Sequence, residues 1–142
     1  ATDPIHIQFT SGTPGFPKSD TFYYDHSKPF PREGSRVLVV ESPFSVIKAT
    51  ALGLEMPILA TFGSKVSAAQ TRMLGNFESA VLWADPDPAG KVMERTVMRR
   101  MEGYPWLSFV TPDEGRDLAD CDTLDEITDK IERAEPAMLR TL

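Results

Sequence analysis

Carboxylates recur in this chain at places where they could meet. Glu41 closes the apolar run Val37-Leu38-Val39-Val40, Asp85 and Asp87 bracket a proline after Val81-Leu82-Trp83-Ala84, and Asp117 stands in Gly115-Arg116-Asp117-Leu118-Ala119-Asp120. In an open parallel sheet the carboxyl ends of the strands form the ligand crevice, so acids at two strand ends and on a later loop can converge. Such a cluster of oxygen donors suits Mg²⁺ or Mn²⁺. The chemistry would be phosphoryl or nucleotidyl transfer, in which hard cations neutralise charge on the phosphate oxygens and align the reactants. Asp85, Asp87 and Asp117 are the metal-ligand candidates, with Asp120 a further one on the same loop. Glu41 is the candidate general acid or base as well as a ligand. Acids at strand ends also serve as plain helix caps, and Asp87 before Pro88 suits that role without any metal.

The elements that must position these acids can be read from Arg36 onward as strand and helix in alternation. Strands are expected at 36–40, 57–61, 79–84 and 106–110, and helices at about 43–52, 67–75, 88–102 and 124–134. Ser42 and Asp87 are N-caps ahead of Pro43 and Pro88, and Gly53 stops the first helix. Ser67 with Gln70 and Thr123 with Glu126 fit capping boxes. Both acidic motifs therefore fall at strand-to-helix turns. This order predicts an α/β fold, a parallel four-stranded sheet with helices on both faces. Residues 1–35, punctuated by five prolines and three glycines, read as an extended N-terminal arm, with strand-like character only at 5–10 and 21–25. The division is thus 1–35 arm and 36–142 catalytic domain.

Composition sets the outer bounds. A chain of 142 residues with net charge −6 and one cysteine, Cys121, suits one domain with a real core and offers no internal disulfide and no multi-cysteine zinc site. Its acidity argues against general electrostatic coating of nucleic acid. No run approaches the ~20 apolar residues that span a bilayer, and with a single cysteine the expected setting is a reducing cytoplasm. The start at Ala1, without a charged and apolar leader, suggests a processed chain or a piece of a longer one.

On the third helix Lys91, Arg95 and Arg99 recur every four residues and form one basic stripe, while Ala89, Met93, Val97 and Met101 are expected to face the core. The stripe is a candidate phosphate contact or a solvated face. Lys65, after Gly63-Ser64, is a further phosphate candidate. His6 and His26 lack ligand-like spacing, and Trp83 and Trp106 read as core. No phosphate-binding loop of the nucleotide-motor type and no dinucleotide fingerprint is present.

Together Val39-Val40-Glu41-Ser42, Thr61-Phe62-Gly63-Ser64, Asp85-Pro86-Asp87-Pro88-Ala89-Gly90 and Pro112-Asp113-Glu114-Gly115-Arg116-Asp117 resemble, in order, the motifs of the Toprim domain. That domain is shared by bacterial-type primases, type IA and type II topoisomerases and small nucleases of the RNase M5 and OLD types. The resemblance covers about residues 36–130 and is nearest to bacterial and phage replicative primases; the 44 residues from Glu41 to Asp85 match their compact form. It implies a Rossmann-like Toprim fold and metal-dependent joining of ribonucleoside triphosphates on a single-stranded DNA template. It also implies partners: a replicative helicase or the primase domains not found here. The alternatives are a metal-dependent nuclease using the same acids and a non-catalytic module that holds a replication partner. Two positions depart from the primase pattern: Ser45 stands where an aspartate is common, and Pro88 where an arginine is. Tyr23, Tyr24 and Tyr104 lie in no nucleophile motif, which argues against strand passage.

Overall fold

The computed structural model describes residues 21–140. Its strands are β1 (Arg36–Val40), β2 (Ile58–Ala60), β3 (Ser79–Trp83), β4 (Leu107–Phe109) and β5 (Glu135–Pro136), and its helices are α1 (Pro43–Ala51), α2 (Ala68–Leu74), α3 (Pro88–Arg100) and α4 (Leu124–Glu132). The sheet order is β2-β1-β3-β4-β5. The first four strands are parallel and β5 runs antiparallel to β4. The fold class is the one expected, with a fifth strand added. That strand is two residues long and contains a proline, so it carries neither the alternation nor the β-branched content that marks a strand in sequence.

The central strands β1 and β3 are apolar on both faces, as a parallel sheet covered by helices requires. Alternate residues serve opposite layers. Val37, Val39, Ala80 and Leu82 pack with Leu74 of α2 and Met93 and Val97 of α3. Leu38, Val40, Val81 and Trp83 pack with Val46 and Ala49 of α1 and Ile127 and Ile131 of α4. Thus α1 and α4 cover one face, and α2 and α3 the other. Val40 pairs with Trp83 at the end of the β1–β3 register, so Glu41 and Ala84-Asp85 leave the sheet side by side.

Of the N-terminal arm, residues 21–35 are described, and the strand expected at 5–10 and His6 lie outside the described residues. Tyr23 makes a single antiparallel bridge to Ala60 on the outer edge of β2, exchanging backbone hydrogen bonds of 2.9 and 2.8 Å. Phe22 and Tyr23 are buried, one in each core layer, so this segment straddles the sheet edge and covers groups that would otherwise invite another strand. His26 stacks on the Tyr24 ring.

Two expected core residues are not core. Trp106 is 63% exposed; it precedes β4, and only its backbone carbonyl joins the sheet, accepting from the Ala80 N–H. Ala89 is exposed as well, because Gly90 is the residue of that turn that faces the sheet. Met93, Val97 and Met101 are buried as expected. Among the described residues no helix is long and apolar enough to cross a membrane.

Candidate metal-binding active site

Each strand-to-helix turn fixes one acid. Ser42 caps α1, its Oγ accepting the Phe44 N–H at 3.1 Å, and this starts the helix immediately after Glu41. The Glu41 carbonyl accepts the Gly63 N–H at 3.0 Å, which ties the turn after β2 to the same place. Across the crevice Asp87 caps α3 through Oδ1, which accepts the Gly90 N–H at 2.7 Å. Gly90 allows α3 to begin this close to the sheet: a Cβ there would lie 1.9 Å from the Asp85 carbonyl oxygen. The glycine thus makes room for backbone.

Glu41 and Asp85 are in direct contact. Glu41 is 6% exposed, and its Oε2 accepts the backbone N–H of Asp85. Burial, and then the nearby charges of Asp85 and Asp87, push the Glu41 carboxyl up to about 7, against the lowering effect of the Asp85 N–H. Asp85 is also raised, by burial and then by Asp117, Asp87 and Asp120. The Asp117–Asp120 turn, a single 3-10 turn whose ends cap one another at 3.2 and 2.8 Å, is therefore near enough to act on Asp85. Asp117 is itself raised by burial and by Asp120. Asp120 is lowered, chiefly by the Asp117 N–H that its carboxylate accepts.

The charges that raise Glu41 and Asp85 are all carboxylates. Like charges gathered in a half-buried crevice favour the protonated form of the buried members, and a bound cation reverses that preference. The donor set fits Mg²⁺ or Mn²⁺: every candidate is a hard oxygen. Asp87, Asp117 and Asp120 each use one oxygen in a backbone cap, leaving the other outside those bonds. Among the described residues no three such side chains already form a closed ligand cluster, so the acids form an open site in which some side chains would turn to ligate.

The basic candidates separate. Lys91 and Arg95 line one open groove with Asp87, Val92, Thr111 and Pro112, beside the acids. Arg99, further along α3, and Lys65, on the loop after β2, are exposed and lie outside that lining. Arg100 turns aside to donate to the Val66 carbonyl. Thr123 caps α4, but Glu126 pairs with Arg116 at 3.4 Å in place of the expected reciprocal capping contact. Ser45, where many primases have an aspartate, is buried.

Three neighbours of the site lie outside the acidic motifs. Phe44 is exposed at the head of α1, Lys48 of the same helix acts on the charge of Asp120, and Phe62 adopts φ 70° in the turn bonded to Glu41. The Thr61-Phe62-Gly63-Ser64 turn could have suggested only the last.

The fold has counterparts among solved structures. A DNA primase domain from Pseudomonas aeruginosa superposes with TM-score 0.73 at 23% identity, over 87% of this chain and 41% of that one. The fold is a Toprim fold. A DnaG primase catalytic domain bound to single-stranded DNA gives TM-score 0.69 at 20% identity, over 88% of this chain and 42% of that one. The small Toprim domain protein from Bacillus stearothermophilus gives 0.51 at 24% identity, over 75% of this chain and 95% of that one. The chain therefore spans less than half the length of these primase domains and nearly all of the small Toprim protein. No protein-family model matches the chain, and no curated protein matches it in sequence.

Proposed function

We propose that this chain is the Toprim catalytic domain of a primase-like DNA replication protein. It would use Mg²⁺ or Mn²⁺ to join ribonucleotides on a single-stranded DNA template. The observation that carries this reading is the contact of Glu41 with Asp85, and of Asp87 just beyond it at the head of α3, at the carboxyl ends of neighbouring strands β1 and β3, in a fold shared with primase catalytic domains. Asp85, Asp87 and Asp117, with Glu41 and Asp120 at the margins, would hold the metal. When bound, the metal supplies charge neutralisation for the transferring phosphoryl oxygens.

The residues of the chain have distinct parts in this scheme. Glu41, buried and raised to about 7, is poised to accept or return a proton near neutrality. Asp87 and Gly90 fix the head of α3 against β3 and so set the spacing of the acids. Lys91 and Arg95 supply positive charge for nucleotide or template phosphates alongside, with Arg99 extending that stripe and Lys65 a more distant contributor. A replicative helicase and further primase domains are the partners this reading implies, and the arm at 1–35 would be an appendage to the catalytic domain at 36–142.

A second reading is a metal-dependent nuclease using the same acids. One assay separates the two: the chain is incubated with end-labelled single-stranded DNA, ribonucleoside triphosphates and Mn²⁺. Ribonucleotide products that vanish in Asp85→Asn/Asp87→Asn support primer synthesis. Shortened DNA that persists without triphosphates supports the nuclease. The absence of both products counts against catalysis by this chain and favours a partner-holding module.

A further inference from the structure

The large apolar side chains exposed among the described residues fall into two groups. Trp106, Met138 and Leu139 gather toward the amino end of β4, away from the acids: β5 runs antiparallel to β4, and the chain after it heads that way. Phe44 and Val92, 74% and 53% exposed, sit instead in the opening turns of α1 and α3, at the carboxyl ends of β1 and β3. Since α1 and α3 cover opposite faces of the sheet, these two residues belong to helix starts on opposite sides of the sheet end that carries Glu41 and Asp85.

The two sides are chemically matched. Val92 lies in the groove that Lys91 and Arg95 line together with Asp87 and Glu114, and Lys91 also reaches Glu94 at 3.7 Å. Phe44 is followed one turn later by Lys48, which shares its side of the helix at i+4 spacing and acts on Asp120. Phe44 is held by Pro43 at the start of the helix and by its own N–H on Ser42 Oγ, so an open ring is presented on a fixed backbone. One aromatic ring with a cation beside it, next to an acidic crest, is unlike a contiguous apolar patch that buries against protein. It matches the stacking platforms and cationic tracks that hold unpaired bases and their phosphates.

We propose that Phe44 is a base-stacking platform for single-stranded nucleic acid that crosses the acidic crevice from the α1 side to the Lys91–Arg95 groove. The inference rests on the nucleic-acid reading of the site given above. It assigns the strand a direction across the site that the acids alone do not define. Stacking on a phenyl face is tolerant of base identity and requires bases free of a duplex, so the platform would hold template or product of any sequence.

The test is fluorescence anisotropy of labelled oligothymidylate and oligouridylate with the native chain and Phe44→Ala, Phe44→Leu and Phe44→Trp, in Mn²⁺, with Mn²⁺ affinity and urea midpoint measured alongside. Phe44→Ala is expected to weaken strand binding by about five- to a hundredfold with unchanged metal affinity and midpoint, Phe44→Trp to restore it with quenching of the new indole, and Phe44→Leu not to restore it. The DNA and RNA arms show which strand the platform holds. Equal binding by native and Phe44→Ala, or full binding by Phe44→Leu, overturns the proposal while leaving the metal-site reading intact. A native chain that holds Mn²⁺ but no strand overturns this proposal together with the nucleic-acid reading, and one that holds neither overturns the metal site as well.

Discussion

Replacing Glu41 by glutamine should change how stability depends on pH in a way that isolates one proton. In the folded chain the Glu41 carboxyl is raised from an ordinary 4.5 to about 7, first by burial and then by Asp85 and Asp87. A folded-state value above the unfolded one means that the native chain holds a proton the unfolded chain has released. The contribution of Glu41 to stability is therefore fullest below about pH 4.5 and is lost as pH rises through about 7. At ~1.4 kcal/mol per pH unit the whole gap would cost ~3 kcal/mol. The crevice opens to water and the charge is shared with Asp85, so screening leaves about 1–2 kcal/mol. Glutamine keeps an oxygen for the Asp85 N–H and cannot ionise. Urea unfolding in EDTA at about pH 5 and about pH 8 should show the native chain losing about 1–2 kcal/mol more than Glu41→Gln over that interval, with equal denaturant slopes. Parallel pH profiles for the two chains would refute the reasoning, because they would mean that Glu41 is ionised throughout at no cost.

Three further outcomes follow from the packing around the site. Gly90→Ala forces a methyl into the space 1.9 Å from the Asp85 carbonyl oxygen and should cost ~3 kcal/mol or more in chemical denaturation. Asp87→Asn should retain the α3 cap and stability near the native value, whereas Asp87→Ala should lose ~1 kcal/mol; both should lower Mn²⁺ affinity, so melting temperature and metal titration together separate cap from ligand. Arg140→Ala removes the 2.8 Å partner of Glu94, which is only 2% exposed and then keeps only Lys91 at 3.7 Å, along with a cation over the Phe109 ring. It should cost ~3–5 kcal/mol, and the paired change Glu94→Gln/Arg140→Met should recover much of that loss in the same urea assay.

The sequence made the layout of the fold legible because the signals there are local. Pro43 after Ser42, Pro88 after Asp87 and the Ser67–Gln70 box mark helix starts through bonds within a few residues, and the structure forms all three. The continuous apolar runs of β1 and β3 likewise announce strands covered on both faces. What escaped depends on distant contacts. β5 is a strand only because β4 offers an edge, and Trp106 is exposed because it meets the sheet with backbone alone. Glu94 looks like a surface acid on a basic stripe, yet it is buried against Arg140, 46 residues away. At the site, residue types and order brought the carboxylates into view, and the register of Val40 with Trp83 places Glu41 beside Asp85. Phe44 had no signal, since an apolar residue in a helix is ordinarily read as core, and only the orientation of α1 on the sheet turns it outward.

The proposed chemistry requires the acids to act together on a divalent cation. The direct measurement is Mn²⁺ binding by calorimetry at about pH 7, in buffers of different ionisation heat, comparing the native chain with Asp85→Asn/Asp87→Asn. The native chain should give saturable heats that vary with the buffer, because the proton that Glu41 holds near neutrality leaves as the metal enters, and the double variant should give none. Saturable heats of equal size in both chains, or none in either, would contradict the assignment of these carboxylates as a metal site.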